Sequence, residues 1–126
     1  ADFSEIMLKL LNDKKLLIDE TVSFIKKNHQ NYNMHIVSGS DEKELRFLCE
    51  NLEISYLFKS IHGSPTPKNQ LVKTLLEDND YSLSECLLIG DSINDYEAAN
   101  INNINFLGYG DNIDIIKKST TSFKLS

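Results

Sequence analysis

Residues 87–100 read LLIGDSINDYEAAN, and this stretch indicates the architecture of the chain. An apolar run ends at Gly90, and two aspartates follow, Asp91 directly and Asp95 one helical turn later. A buried strand that stops at a turn and leads into a helix is typical of a parallel α/β sheet. Because ligands bind at the carboxyl ends of such strands, we expect both carboxylates to lie at a binding edge.

Apolar runs and amphipathic segments alternate along the rest of the chain. This alternation predicts an α/β fold, a three-layer, Rossmann-like parallel sheet with helices on both faces. The expected strands are 34–37, 57–61, 86–90, a short one within 104–110, and a last one at 122–125. The expected helices are 3–11, 20–29, 41–51, 67–77 with Thr66 as N-cap, 94–101 and 111–118.

The composition is that of one globular domain with an acidic surface. The chain has 126 residues and a formal net charge of −6, so it has no general field to attract nucleic acid or an anionic membrane. No apolar run approaches the roughly 18 residues that a membrane span needs. Cys49 and Cys86 lie far apart and outside any CxxC pair, which predicts reduced thiols in a cytoplasmic protein.

Three groups of polar residues follow three of the expected strands. Ser38, Gly39 and Ser40 follow the first, Lys68 begins the helix after the second, and the two aspartates follow the third. Each group also has a structural explanation, since Ser-Gly-Ser is a common turn, Ser40 or Asp41 can cap a helix, and Asp95 suits a helix N-terminus. Together, however, a hydroxyl, backbone amides, a lysine and two carboxylates suit a phosphate bound beside Mg²⁺.

Three segments in this order resemble the haloacid dehalogenase (HAD) superfamily. MHIVSGS (34–40) is similar to its second motif, PTPKNQLVKTLL (65–76) to its third, and LLIGDSINDYEAA (87–99) to its fourth. The resemblance implies that Ser38 and Gly39 bind the phosphoryl group and that Lys68 neutralises it. It also implies that Asp91 and Asp95 hold Mg²⁺. Most members are phosphatases that act through an aspartyl-phosphate intermediate.

The first motif of the family, DxDx(T/V), is not found in the sequence. The nearest candidate, Asp19 in LLIDETV, has Thr21 where the second aspartate belongs and precedes Ser38 by too few residues. We therefore expect the central strand that carries the nucleophile to be missing from this chain and to belong to an N-terminal segment of a longer protein. Residues 1–17 are then interpreted as the remnant of a helical cap and its linker, and residues 18–126 as the core.

The sequence leaves three functions open. The first is a Mg²⁺-dependent phosphatase core for a small phosphorylated metabolite, inactive as this chain alone. The second is a non-catalytic module that binds a phosphorylated ligand or partner, and the third is a receiver-like domain, which the late position of the acids disfavours. His62, Tyr109 and Asp111 are weaker candidates for the rim of the site, and the three histidines lack the spacing of a zinc site.

Overall fold

In the computed structural model, the described residues (5–8, 19–28, 30–108, 110 and 112–121) contain a five-stranded parallel sheet with helices on both faces. The strand order is β3-β2-β1-β4-β5, and each neighbouring pair is parallel. The strands are β1 (Glu5–Leu8), β2 (Asn33–Asp41), β3 (Ser60–Ser64), β4 (Cys86–Gly90) and β5 (Asn105–Gly108). The α/β class and the parallel sheet that the sequence predicts are confirmed.

Two apolar cores separate the sheet from its helices. The helices are α1 (Asp19–Asn28), α2 (Glu42–Asn51), α3 (Lys68–Asn79), α4 (Ile93–Ile101) and α5 (Ile113–Ile116). Phe24 of α1 and Leu45 of α2 belong to the core on one face, whereas Val72 of α3 and Ala98 of α4 belong to the core on the other. The molecule therefore has the expected three layers.

The central strand is where the sequence-based expectation fails. Residues 3–11, for which the sequence predicts a helix, contain β1 instead. Ile6 and Met7 are both fully buried, Ile6 in the core beneath α1 and α2 and Met7 in the core on the opposite face. A strand buried on both faces reads as a continuous apolar run, which periodicity alone does not distinguish from a helix.

The expectation of a missing central strand is also wrong. β1 lies between β2 and β4, and Leu8 is in register with Ile36 on one side and Ile89 on the other. As expected, β2 and β4 do not pair with each other. The strand that separates them, however, belongs to this chain. Its amides and carbonyls pair with strands that would otherwise have unpaired backbone inside the sheet.

The described part of β1 does not supply a nucleophile. Its one carboxylate, Glu5, is in register with Asn33 at the amino end of the sheet, opposite the binding edge. Asp19 is the first residue of α1, in agreement with the helix predicted before β2. Residues 9–18 lie outside the described residues, so the absence of the first motif and the boundary at residue 17 remain predictions.

Smaller differences concern element boundaries. β3 begins at Ser60 rather than 57, because Ser55–Leu57 form a 3₁₀ turn. The N-cap of α3 is Pro67 rather than Thr66, so Lys68 is the first helical residue. α5 is shorter than the predicted 111–118 helix, and the expected strand at 122–125 lies outside the described residues.

Both cysteines are buried free thiols, in agreement with the sequence-based expectation. Burial raises the pKa of Cys49 to about 11 and that of Cys86 to about 12, so both stay protonated at neutral pH. None of the helices in the described ranges has the length and apolar character that crossing a membrane requires.

The buried His35 should make the free energy of unfolding depend on pH. His35 is 1% exposed, and burial, with smaller contributions from His62 and Lys59, lowers its pKa from 6.5 to about 4. The unfolded chain therefore binds more protons than the folded one between these values, so stability falls as pH falls below about 6.5. We expect a loss of about 2 kcal/mol between pH 7 and pH 5, measured by urea unfolding.

The variant His35→Gln should remove most of this loss, whereas His62→Gln, which removes a smaller contribution of the same sign, should retain most of it. Glu5 contributes with the opposite sign, because burial raises its pKa and stability is gained as it binds a proton. The difference between wild type and His35→Gln isolates the histidine contribution. Equal slopes in these two proteins would contradict a neutral, buried His35.

Candidate functional site

The carboxyl-terminal part of β2 places Ser38 and Gly39 at the carboxyl edge of the sheet, because the strand extends to Asp41 and does not end at residue 37 as predicted. The register of β2 against β3 shifts between Val37 and Asp41, which allows this segment to leave the regular ladder. Ser38 is 1% exposed, and its Oγ accepts a hydrogen bond of 3.1 Å from the Ser40 amide. Asp41, rather than Ser40, caps α2, since its Oδ1 accepts from the Glu44 amide at 3.1 Å.

Lys68 and Asp95 form a buried ion pair at this edge. Lys68 Nζ lies 3.1 Å from Asp95 Oδ1, and the two side chains are 14% and 1% exposed. The Lys68 chain also passes close to Gly39, where an added Cβ would lie 3.7 Å from Lys68 Cε. The end of β2, the start of α3 and the start of α4 therefore meet around the Lys68 side chain, at the edge where the sequence places the three groups.

The second oxygen of Asp95 organises the turn between β4 and α4. Asp95 Oδ2 accepts hydrogen bonds from the amides of Asp91 and Ser92, each 3.1 Å long, and from Ser92 Oγ at 2.9 Å. Ser92 Oγ in turn accepts from the Asp95 amide at 3.3 Å, which completes a capping box. The sequence analysis did not single out Ser92, although the spacing Ser92-x-x-Asp95 is the signal of such a box.

Asp91 follows β4 directly, and its Oδ1 is buried. Asp91 thus adds a second carboxylate to the edge, beside the Asp95 carboxylate that is paired with Lys68. A hard divalent cation suits such a position, since Mg²⁺ is commonly bound by one or two carboxylates together with water and phosphate oxygens. Within residues 5–8, 19–28, 30–108, 110 and 112–121, His, Cys, Asp and Glu side chains do not form a group of three that could enclose a metal.

A magnesium ion at this edge would be held mainly by Asp91. Both oxygens of Asp95 already accept hydrogen bonds, from Lys68 on one side and from the turn on the other. Of the weaker candidates, His62 lies in β3, where its ring is within 2.9 Å of Ser60 Oγ, and Tyr109 and Asp111 lie outside the described residues. The roles of Ser38, Gly39, Lys68, Asp91 and Asp95 in binding remain predictions.

The site requires a glycine at position 90 but not at position 39. A Cβ on Gly90 would lie 2.4 Å from Asp95 Cβ and 2.5 Å from its Oδ2, whereas one on Gly39 would make only the ordinary contact with Lys68. We expect Gly90→Ala to displace Asp95 and lower the free energy of unfolding by about 2 kcal/mol, the usual range for overpacking. Gly39→Ala, the matched control, should lose much less.

The measurement is urea unfolding of both variants beside wild type. If Gly90→Ala were as stable as Gly39→Ala, the close packing of Asp95 against Gly90 would not contribute to the stability of the fold.

Comparisons with known proteins agree with this fold. A sequence model described as haloacid dehalogenase-like hydrolase matches residues 2–109. A solved haloacid dehalogenase-like family hydrolase from Streptococcus pneumoniae superposes with a TM-score of 0.78 at 13% identity, over 92% of this chain and 90% of that one. No curated protein sequence matches the chain closely enough to count as a relative.

Two further solved structures share the fold. The core domain of a proposed phosphoglycolate phosphatase from Streptococcus pneumoniae has a TM-score of 0.71 at 14% identity, over 88% of this chain and 82% of that one. A proposed HAD-hydrolase from Bacillus subtilis, solved with bound magnesium, has a TM-score of 0.66 at 19% identity, over 79% of this chain and 49% of that one. The chain therefore spans about half the length of the second structure.

Proposed function

Because the chain belongs to the haloacid dehalogenase-like hydrolase family, we propose that it is the phosphate-handling core of a Mg²⁺-dependent phosphomonoester hydrolase. The observation that carries the proposal is the Lys68–Asp95 pair of 3.1 Å, buried beside Gly39 and joined through the turn to Asp91. A buried ammonium between the Ser38–Gly39 end of β2 and the turn that contains Asp91 suits a phosphate better than a neutral substrate.

Each residue of the edge has a proposed task. The Ser38 hydroxyl and the Gly39 amide bind phosphoryl oxygens, and the Lys68 ammonium offsets their negative charge. Asp91 would hold Mg²⁺, while Asp95, which positions Lys68 and the turn, would join the metal directly or through water. When bound, the metal supplies positive charge against the phosphoryl oxygens. Because catalysis of phosphoryl transfer is mostly positioning and charge stabilisation, these residues contribute without being nucleophiles.

The covalent part of the reaction is also a proposal. Members of the family transfer the phosphoryl group to an aspartate, and none of the described residues at this edge is assigned that role. The proposed substrate is a small phosphorylated metabolite, because a net charge of −6 opposes binding of nucleic acid or an anionic membrane. A cytoplasmic location is also proposed, because the two free thiols suit a reducing compartment.

A second function is supported by one observation on β1. Its described residues bring no carboxylate to the binding edge, since Glu5 lies at the opposite end of the strand. The alternative is therefore a HAD-like module that binds a phosphorylated ligand or partner without hydrolysing it. Both functions use Ser38, Lys68 and Asp91 in the same way and differ only in turnover.

The metal assignment can be tested by titrating the full chain with MgCl₂ in a calorimeter. Asp91→Asn should weaken Mg²⁺ binding at least about tenfold, because it removes a charged oxygen ligand. Asp114→Asn, which changes an exposed aspartate of α5, is the matched control and should bind as wild type. Equal binding by wild type and Asp91→Asn would refute the assignment of Asp91.

Turnover separates the two functions. The full chain should bind inorganic phosphate in the presence of Mg²⁺, and Lys68→Met should weaken this binding in either case. Hydrolysis of p-nitrophenyl phosphate that requires Mg²⁺ and is lost in Asp91→Asn supports the hydrolase. Phosphate binding without hydrolysis supports the binding module, and the absence of both overturns the proposed function.

A further inference from the structure

A second polar site lies in a groove of about 570 Å³ lined by residues of β2, β3 and α3. Its walls include His35 of β2, Ser60 and His62 of β3, and Lys59 just before β3. Thr74 and Asp78 of α3 line the opposite side. None of the residues proposed to bind phosphate or magnesium lines this groove.

Three contacts of hydrogen-bond length and one longer contact join side chains from distant parts of the chain into one relay. Tyr81 Oη lies 2.8 Å from His35 Nε2, and His35 Nδ1 lies 2.6 Å from Ser60 Oγ. Ser60 Oγ lies 2.9 Å from His62 Nε2, and His62 Nδ1 lies 3.9 Å from Glu42 Oε1. Ser60 is thus held between two imidazole rings on the wall of an open groove.

The position of Glu42 favours one direction for the hydrogen bonds of the relay. Its Oε1 accepts a hydrogen bond of 3.1 Å from the Gly63 amide, and its Oε2 lies 3.5 Å from Arg46 Nε, so the carboxylate is fixed in place. A carboxylate beside His62 Nδ1 favours the tautomer with the proton on that nitrogen. His62 Nε2 then accepts from the Ser60 hydroxyl, and Ser60 Oγ accepts from His35 Nδ1.

We propose that Ser60 is a nucleophile that accepts an acyl group from a carboxylic ester bound in this groove, with His62 as its general base and Glu42 as the residue that orients His62. A nucleophile within hydrogen-bond distance of a base, which a third group orients, is the signature of covalent catalysis. The Glu42–His62 distance of 3.9 Å is long for a hydrogen bond, as such contacts often are before substrate binds.

The surroundings of His62 lower the pKa of its ring and so favour the neutral form, which can accept a proton. Burial lowers its pKa, as does Arg46 to a smaller extent, and Glu42 and Asp78 oppose the shift. His62 is therefore mainly neutral at neutral pH, which is the form that a general base requires. His35 is neutral as well, and its Nδ1 proton stays on the hydrogen bond to Ser60.

The proposed reaction balances without a further reagent. Ser60 Oγ forms a bond to the ester carbonyl carbon as its proton passes to His62 Nε2, and the Lys59 ammonium offsets charge on the carbonyl oxygen. The bond from carbon to the alcohol oxygen then breaks, and that oxygen takes the proton from His62. Water, deprotonated by His62, attacks the acyl-Ser60 ester, the acid leaves, and Ser60 regains its proton.

The test uses a fluorophosphonate, which a nucleophilic serine attacks with loss of fluoride. The full chain is incubated with the probe at pH 7.5, digested, and analysed by mass spectrometry to locate the adduct. We expect the adduct on Ser60, formed about 100-fold more slowly in His62→Gln, the usual effect of losing a general base. Ser84→Ala, which changes an exposed serine outside the groove, is the control and should be labelled as wild type.

Glu42→Gln should slow labelling less than His62→Gln, because it removes only the group that orients the base. Hydrolysis of p-nitrophenyl acetate should fall in the same order, with Ser60→Ala the least active. Labelling of wild type at another residue, or no labelling, would overturn the proposal even without a variant. Labelling of Ser60 at the same rate in wild type and His62→Gln would overturn the role of His62.

Discussion

The buried carboxylate of Asp95 is the interaction on which the candidate site depends. One oxygen accepts a hydrogen bond from the ammonium of Lys68, and the other accepts hydrogen bonds from two backbone amides of the turn after β4. A carboxylate that is 1% exposed is tolerated only when its charge and lone pairs are satisfied in this way. The close approach of Asp95 to Gly90 follows from the same constraint, since a side chain there would occupy the space of the carboxylate.

The central strand β1 determines the distance between the two segments that form the site around this carboxylate. Because β1 pairs with β2 on one side and β4 on the other, the end of β2 that contains Ser38 and the turn that contains Asp91 are held one strand apart. Ile6 and Met7 anchor that strand in the cores on opposite faces of the sheet. The spacing of the site is therefore determined by apolar burial in a strand whose described residues bring no charged group to the binding edge.

Elements with local sequence signals, such as strand ends and helix starts, were predicted correctly. Features that depend on residues far apart in the sequence were missed. The β4 turn, the helix at Lys68 and the convergence at the edge follow from strand ends and helix starts, and these predictions are confirmed. β1 was missed because an apolar run buried on both faces has no diagnostic period. The relay through His35 was missed because its partners, Ser60 and Tyr81, lie 25 and 46 residues away in the sequence.

Asp91 and Asp95 share a residue type but not an environment, and this difference bears on how the proposed site would bind its ligands. Asp95 is paired with Lys68, whereas Asp91 brings a second carboxylate to the same turn. A phosphate group beside Ser38 would be repelled by that carboxylate unless a cation lay between them. Metal and phosphate should then each increase the affinity of the other by the same factor, because binding free energies are reciprocal. The lysine alone cannot replace the metal, since its charge is already shared with Asp95.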